Sequence, residues 1–129
     1  TSEIIHFYKI NNTDISLIKK YEMNYPIYKT QVEGDMRAAP ISSSNNSTFI
    51  SLCISPKYVY GLYSGKNFKE NGLETLAGTI IYVFDWNEKA IKKYELNVPV
   101  TLISVDNKDE MLYAFSNMPD PELIRFKIK

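Results

Sequence analysis

Nine short segments are either apolar throughout or alternate between apolar and polar residues, and turn-forming residues separate them. Residues 49–55 (FISLCIS), 58–64 (YVYGLYS), 79–85 (TIIYVFD) and 90–96 (AIKKYEL) predict four consecutive strands. The first three are apolar on both faces, as strands are when sheets cover them on both sides. The fourth carries Lys92, Lys93 and Glu95, the charge expected on an outer edge that must resist pairing with other molecules. Residues 99–105, 111–116 and 122–128 predict a further run of three strands. Residues 4–10 and 15–24 predict two more at the start. DISLIKKYE (14–22) and NEKAIKKYEL also fit a short capped helix, because periodicity is ambiguous over so few residues.

An internal repeat decides for strands. Residues 18–27 read IKKYEMNYPI and residues 91–100 read IKKYELNVPV, identical at seven of ten positions. Extending the repeat upstream places Tyr8, Phe84 and Phe126 in register, and the interval from Phe84 to Phe126 suits a four-stranded propeller blade of roughly 40–50 residues. The predicted fold is therefore all-β, a partial β-propeller of four-stranded antiparallel blades with about nine strands. Residues 1–25 would give the outer two strands of one blade, 26–98 one complete blade with long insertions, and 99–129 three strands of a last blade. Gly61 and Ala114 match in the second strands, where a small residue suits close approach of an adjacent backbone.

In a propeller, the connection from strand four to the next strand one lies on the same face as the connection from strand two to strand three. Both long connections here fall on that face: the segment from Tyr25 to Ser47, and GKNFKENGLETLAG (65–78). Connections much beyond about six residues are often functional. The candidate ligand-binding groups there are Tyr28, Glu33, Asp35, Arg37, Tyr63, Lys66, Asn67, Asn71 and Glu74, joined by Asn117 and Asp120 from the loop SNMPDPE. Tyrosines, asparagines and paired charges suit a polar ligand such as sugar or peptide. The competing structural reading makes Asp35–Arg37 a loop ion pair and the asparagines turn formers.

Composition narrows the function. Lys plus Arg equals Asp plus Glu at 15 each, so no net field favours nucleic acid. No apolar run approaches the ~20 residues of a membrane-spanning helix, and no signal peptide is present. The absence of an initiator Met suggests a trimmed chain whose targeting segment is gone. One Cys and one His exclude an intrachain disulfide and a Cys/His zinc site; no metal or cofactor is expected. Cys53 reads as a small buried hydrophobe. A Ser-His-Asp site would need His6, at a strand edge where packing explains it better. SGKN lacks the upstream glycine of a phosphate-binding loop and reads as a turn. Glu33, Asp35 and Glu74 could supply acid and base, although their spacing does not demand it. Asp85 and Asn87 read as hairpin-turn residues. The triplets at Asn11 and Asn46 match a glycosylation pattern that Asn-rich chains produce by chance.

YVYGLYSGK (58–66), IYVFDWNEKAIKKYELNVPV (81–100) and MLYAFSNMPDPELIRFKI (111–128) resemble the C-terminal blades of the TolB-like six-bladed β-propeller family. The resemblance is good from about residue 49 onward and weaker before it, and it lies in fold motifs. It implies a cell-envelope or secreted protein, periplasmic or surface-exposed, of the kind common in gut anaerobes and often made as lipoproteins. It carries over no catalytic residue. A six-bladed member needs roughly 250–300 residues at this repeat length, so the chain reads as a C-terminal portion. Open strand edges at Ile4–Ile10 and Leu123–Ile128 would then favour self-association. The leading functional expectation is a non-enzymatic binding or scaffold module presenting its long-loop face to a glycan or protein. The alternatives are a sugar- or lactone-processing hydrolase or lyase using channel-face carboxylates, and a purely structural role.

Overall fold

The computed structural model describes residues 4–22, 31–38 and 42–129. Four antiparallel sheets account for eleven strands. A hairpin joins β1 (Ile4–Asn11) to β2 (Asp14–Glu22), and a small one joins β3 (Gln31–Glu33) to β4 (Met36–Ala38). Strands β5 (Phe49–Ile54), β6 (Tyr58–Tyr63), β7 (Gly78–Asp85) and β8 (Ala90–Val100) form one four-stranded meander. Strands β9 (Leu102–Val105), β10 (Met111–Ser116) and β11 (Glu122–Lys127) form a three-stranded one. The all-β reading and the assignment of 14–22 to strand agree with this.

Three expectations need correction. The β3–β4 hairpin adds two strands to the nine anticipated. The 65–78 connection is partly helical, with a single turn α1 (Phe68–Asn71) followed by a 3₁₀ turn (Gly72–Leu76). Strand β8 runs on to Val100, which pairs with Gly78, so Asn97, Val98 and Pro99 belong to an irregular strand end and not to a free connection. The chain then enters β9 at Leu102, three residues later than the apolar run suggested.

Alternation along β6 and β7 builds two cores on opposite faces of the central sheet. Tyr60, Leu62, Ile81 and Val83 point to one side and pack with Val100 at the end of β8 and with Ile103, Leu112 and Ala114 of the last sheet. Val59 and Phe84 point to the other side and pack with Ile5 and Phe7 of the first hairpin, flanked by Tyr21, Phe49 and Tyr82. A sheet buried on both faces explains why its inner strands lack the apolar–polar alternation of half-exposed ones. The innermost strands of neighbouring sheets also touch: the Ile103 N–H donates to Ser51 Oγ at 3.3 Å.

The sequence repeat is a packing repeat. Ile5, Phe7 and Tyr21 are the counterparts of Ile81, Val83 and Tyr94, and each set faces the following sheet. Tyr8 is the counterpart of Phe84, yet Phe84 is fully buried while Tyr8 is 52% exposed. The difference is one of neighbours, because a hairpin covers Phe84 and no described residue covers Tyr8 in the same way. At the other end of the stack Tyr113, the counterpart of buried Tyr60, is exposed beside Leu102 and Leu123. The expected outer-strand charge is present on β8, where Lys93 Nζ lies 2.7 Å from Glu95 Oε1.

Turns at the opposite end to the long connections are held by carboxylates. Asp85 Oδ1 accepts from the Asn87 and Lys89 N–H groups, both at 2.9 Å, as its place in the hairpin predicts. Asp106 Oδ1 accepts from the Glu110 N–H at 2.8 Å and the Met111 N–H at 3.1 Å, and these bonds hold its carboxyl below the usual carboxylate range. Gly61 does have a crowded neighbour, but that neighbour is the Phe49 ring and not a backbone. The close backbone approach is at Gly78, where a Cβ would collide with the Tyr63 carbonyl.

Candidate functional site

The two long connections meet. Backbone bonds run from Ser47 N to Lys66 O (2.7 Å), Gly65 N to Ser47 O (2.8 Å), Ser64 N to Thr48 O (2.9 Å) and Lys69 N to Ser43 O (3.0 Å). Asn67 Nδ2 donates to Asn46 Oδ1 at 3.2 Å across the same seam. Residues 43–48 therefore brace the β6–β7 connection from one side.

Asn67 starts the helical turn. Its backbone is extended (φ −118°, ψ 153°), and its Oδ1 accepts from the Glu70 N–H at 3.0 Å, satisfying one of the donors a helix start leaves free. Asn71 Nδ2 donates to Asn67 O at 3.1 Å. Ser64 Oγ donates to Thr75 O at 2.8 Å and pins the 3₁₀ turn to the sheet. Thr75 is fully buried beneath it.

Pinned in this way, the 3₁₀ turn holds Leu73 and Leu76 outward at 76% and 48% exposure. They face a cavity of about 430 Å³ between the two neighbouring sheets. Lys66, Glu74 and Ala77 complete the near wall, Pro99 and Thr101 form the floor, and Ser116, Asn117 and Met118 form the far wall. The floor is rigidly bonded: the Thr101 N–H and Oγ1 both donate to Phe115 O, at 2.7 and 3.1 Å. Ser116 Oγ lies 2.9 Å from Pro99 O and 3.1 Å from Met118 O, tying the far wall to the floor. At the mouth, Lys66 Nζ sits 3.3 Å from Glu74 Oε2.

The structure thus brings together Lys66, Glu74 and Asn117 from the anticipated set. Asn67 and Asn71 do structural work as cap and turn residues. Tyr63 packs edge-on against Phe49 and Tyr82, at centroid distances of 5.7 and 5.6 Å. Asp120 is exposed and does not line the cavity. Asp35 is exposed in the β3–β4 turn. Tyr28 and the side chains of Glu33 and Arg37 lie outside the described residues, and with them the anticipated Asp35–Arg37 ion pair. The lining residues that sequence reasoning missed are mostly apolar, Leu73, Leu76, Ala77, Pro99 and Met118, with the hydroxyls of Thr101 and Ser116 beside them. Two leucines three apart in an otherwise polar loop were the available signal.

Elsewhere the chemistry is muted. Burial pushes the Cys53 thiol up to about 11, which leaves it a packing residue rather than a nucleophile. His6 is exposed, not packed as anticipated, with Nδ1 3.3 Å from Tyr8 Oη. Among the described residues no group of three His, Cys, Asp or Glu side chains could hold a metal ion. No described helix is long and apolar enough to cross a membrane.

No curated protein matches the chain. The sequence profile of the TolB-like 6-blade propeller-like family matches residues 3–108, from the first hairpin to the turn between β9 and β10. That span reaches back over the half of the chain where the resemblance looked weaker and covers most of the chain's length. With stacked antiparallel sheets and a blade-length repeat already in place, the match assigns the chain to the TolB-like 6-blade propeller-like family.

Proposed function

We propose that this chain is a non-enzymatic binding module that takes an apolar side chain of a protein partner into the cavity between the 3₁₀ turn and the Ser116–Met118 wall. The observation that carries the reading is the lining: exposed Leu73, Leu76 and Met118 converge on one concave space, with charge confined to the Lys66–Glu74 pair at its mouth. Apolar walls with a few polar groups at the rim suit a peptide segment better than a hydroxyl-rich glycan, which needs hydrogen-bond partners along its length. Hydrolase or lyase chemistry is less well supported, since Glu74 is the single carboxylate among the described lining residues and Lys66 already engages it. An envelope or secreted location belongs to the same proposal, and cell fractionation tests it.

Panning a random peptide library against the chain should enrich sequences with one large apolar residue flanked by charge. Leu73→Asp places a carboxylate in the apolar wall and should weaken the selected peptides by about tenfold or more. Because Leu73 is so exposed, the variant should keep the parent's circular dichroism and melting temperature. Retention of glycans with no peptide enrichment, or unchanged binding by Leu73→Asp, would overturn the reading.

The proposal extends to self-association through the outer sheet faces. Ile10, Ile15 and Ile18 are exposed at one end of the stack, and Leu102, Tyr113 and Leu123 at the other. Clusters of this kind usually mark contact surfaces. Light scattering over a tenfold concentration range should show mass rising with concentration, and Ile10→Lys with Leu123→Lys should return it to the monomer value. A concentration-independent monomer in the parent would rule this part out.

A further inference from the structure

The end of the molecule opposite the long connections holds a second cavity, of about 210 Å³, between the four-stranded and three-stranded sheets. Lys57, Lys92, Lys108 and the C-terminal Lys129 line it, with Asp109 as the single side-chain carboxylate among the described lining residues. In a chain whose charges balance overall, this concentration of one sign is local. Three lysines elsewhere have carboxylate partners: Lys20 with Glu22, Lys66 with Glu74 and Lys93 with Glu95. No such pair involves Lys57, Lys92 or Lys108 among the described residues. Lys92 and Lys93 make the contrast on one strand. Lys93 is paired, while Lys92 Nζ lies 5.3 Å above the Tyr94 ring, at the cavity.

The carboxylate is already committed. Tyr60 is almost fully buried, and its hydroxyl donates to Asp109 Oδ1 at 2.8 Å, which ties the β9–β10 turn to the central sheet. Asp109 Oδ2 is itself buried. Asp109 therefore anchors the wall, and its one negative charge is outnumbered by the lysines at the mouth. A cleft lined by charge of one sign over low-dielectric walls concentrates counter-ions. Lysine ammonium groups bind carboxylate and phosphate oxygens through charge-assisted hydrogen bonds.

We propose that this cavity is a site for a small oxyanion-bearing molecule, a carboxylate or phosphate on a sugar-sized body, held by Lys57, Lys92 and Lys108 with its body against Tyr94. The volume falls below the roughly 300–1,000 Å³ of drug-sized sites, which points to a small ligand. The site is separate from the apolar cavity and does not depend on the function proposed for it.

Calorimetric titration with glucuronate, glycerol phosphate and glucose tests the inference. The two anions should bind and neutral glucose should not, and binding should weaken as salt is added. Lys57→Gln, Lys92→Gln and Lys108→Gln should each weaken the anions by about tenfold, whereas Lys93→Gln should not. Asp109→Asn should tighten them, since it removes the opposing charge, keeps an acceptor for Tyr60, and suits the left-handed backbone there (φ 58°). Binding of only one anion would support the site and identify the acid group it selects. Glucose binding as well as the anions, binding of neither anion, or equal losses with Lys93→Gln would each overturn it.

Discussion

Replacing Phe84 by alanine is expected to cost about 3–5 kcal/mol of stability, while the same change at its repeat counterpart Tyr8 costs less than about 1 kcal/mol. The two residues hold one position in successive copies of the repeat, so chain-local propensity is nearly the same at both. What differs is cover. Phe84 is fully buried under the first hairpin, with Tyr21 at a centroid distance of 4.7 Å and Phe49 at 6.0 Å. The strands of that hairpin pair only with each other among the described residues, so side-chain packing is what docks it. A two-stranded hairpin is marginal at best on its own. Phe84→Ala should therefore release β1 and β2 first, and their amides should lose hydrogen-exchange protection before those of β10 and β11. Against a whole-domain stability of about 5–15 kcal/mol, the loss is large enough to lower the denaturation midpoint plainly. Equal losses at Phe84 and Tyr8 would mean that the two faces of the stack are covered alike.

Gly78→Ala should destabilise the chain by at least about 1–3 kcal/mol, more than Gly61→Ala. At Gly78 the added Cβ meets the Tyr63 carbonyl, and backbone can yield only by opening the β6–β7 ladder. At Gly61 it meets the edge of the Phe49 ring at 2.7 Å, and a ring can tilt. Ala114 stands at the counterpart of Gly61, which shows that a methyl is compatible with that place in a blade. The cost at Gly78 should also reach the apolar cavity, because the adjacent Ala77 forms part of its wall. Denaturant titration of the two variants separates them. Gly78→Ala as stable as the parent, or Gly61→Ala the more damaging, would contradict this account.

The strands were legible because their signal is redundant. Period-two patterning, apolar runs and a repeat all give the same answer for β5 to β8, and the repeat settles β2, where patterning alone was ambiguous. The β3–β4 hairpin was not legible because three-residue strands carry too little periodicity to detect. Its turn glycine, Gly34 (φ 61°), sits in a segment that composition marks as loop. The site was half legible. Topology anticipated the meeting of the two long connections that residues 43–48 make with the β6–β7 connection, and polarity singled out Lys66, Glu74 and Asn117, which line the cavity. A search for polar groups could not find Leu73 and Leu76, whose exposure follows from how Ser64 and Asn67 pin the turn, or Met118, whose carbonyl is held by Ser116 on the far wall. Nor could it separate asparagines that cap from asparagines that bind, since both uses draw on the same amide.

The two ends of the stack are unlike. One is a two-stranded hairpin face bearing Tyr8, Ile10 and Ile15, and the other a three-stranded face bearing Leu102, Tyr113 and Leu123. A contact that joins the first to the second sets dissimilar surfaces together and has no two-fold axis. Assembly by that route is directional: every copy added hides one head and one tail and presents another of each. Growth then ends only where the turn from copy to copy brings the last tail onto the first head, so the angle between stacked sheets decides between a ring and a filament.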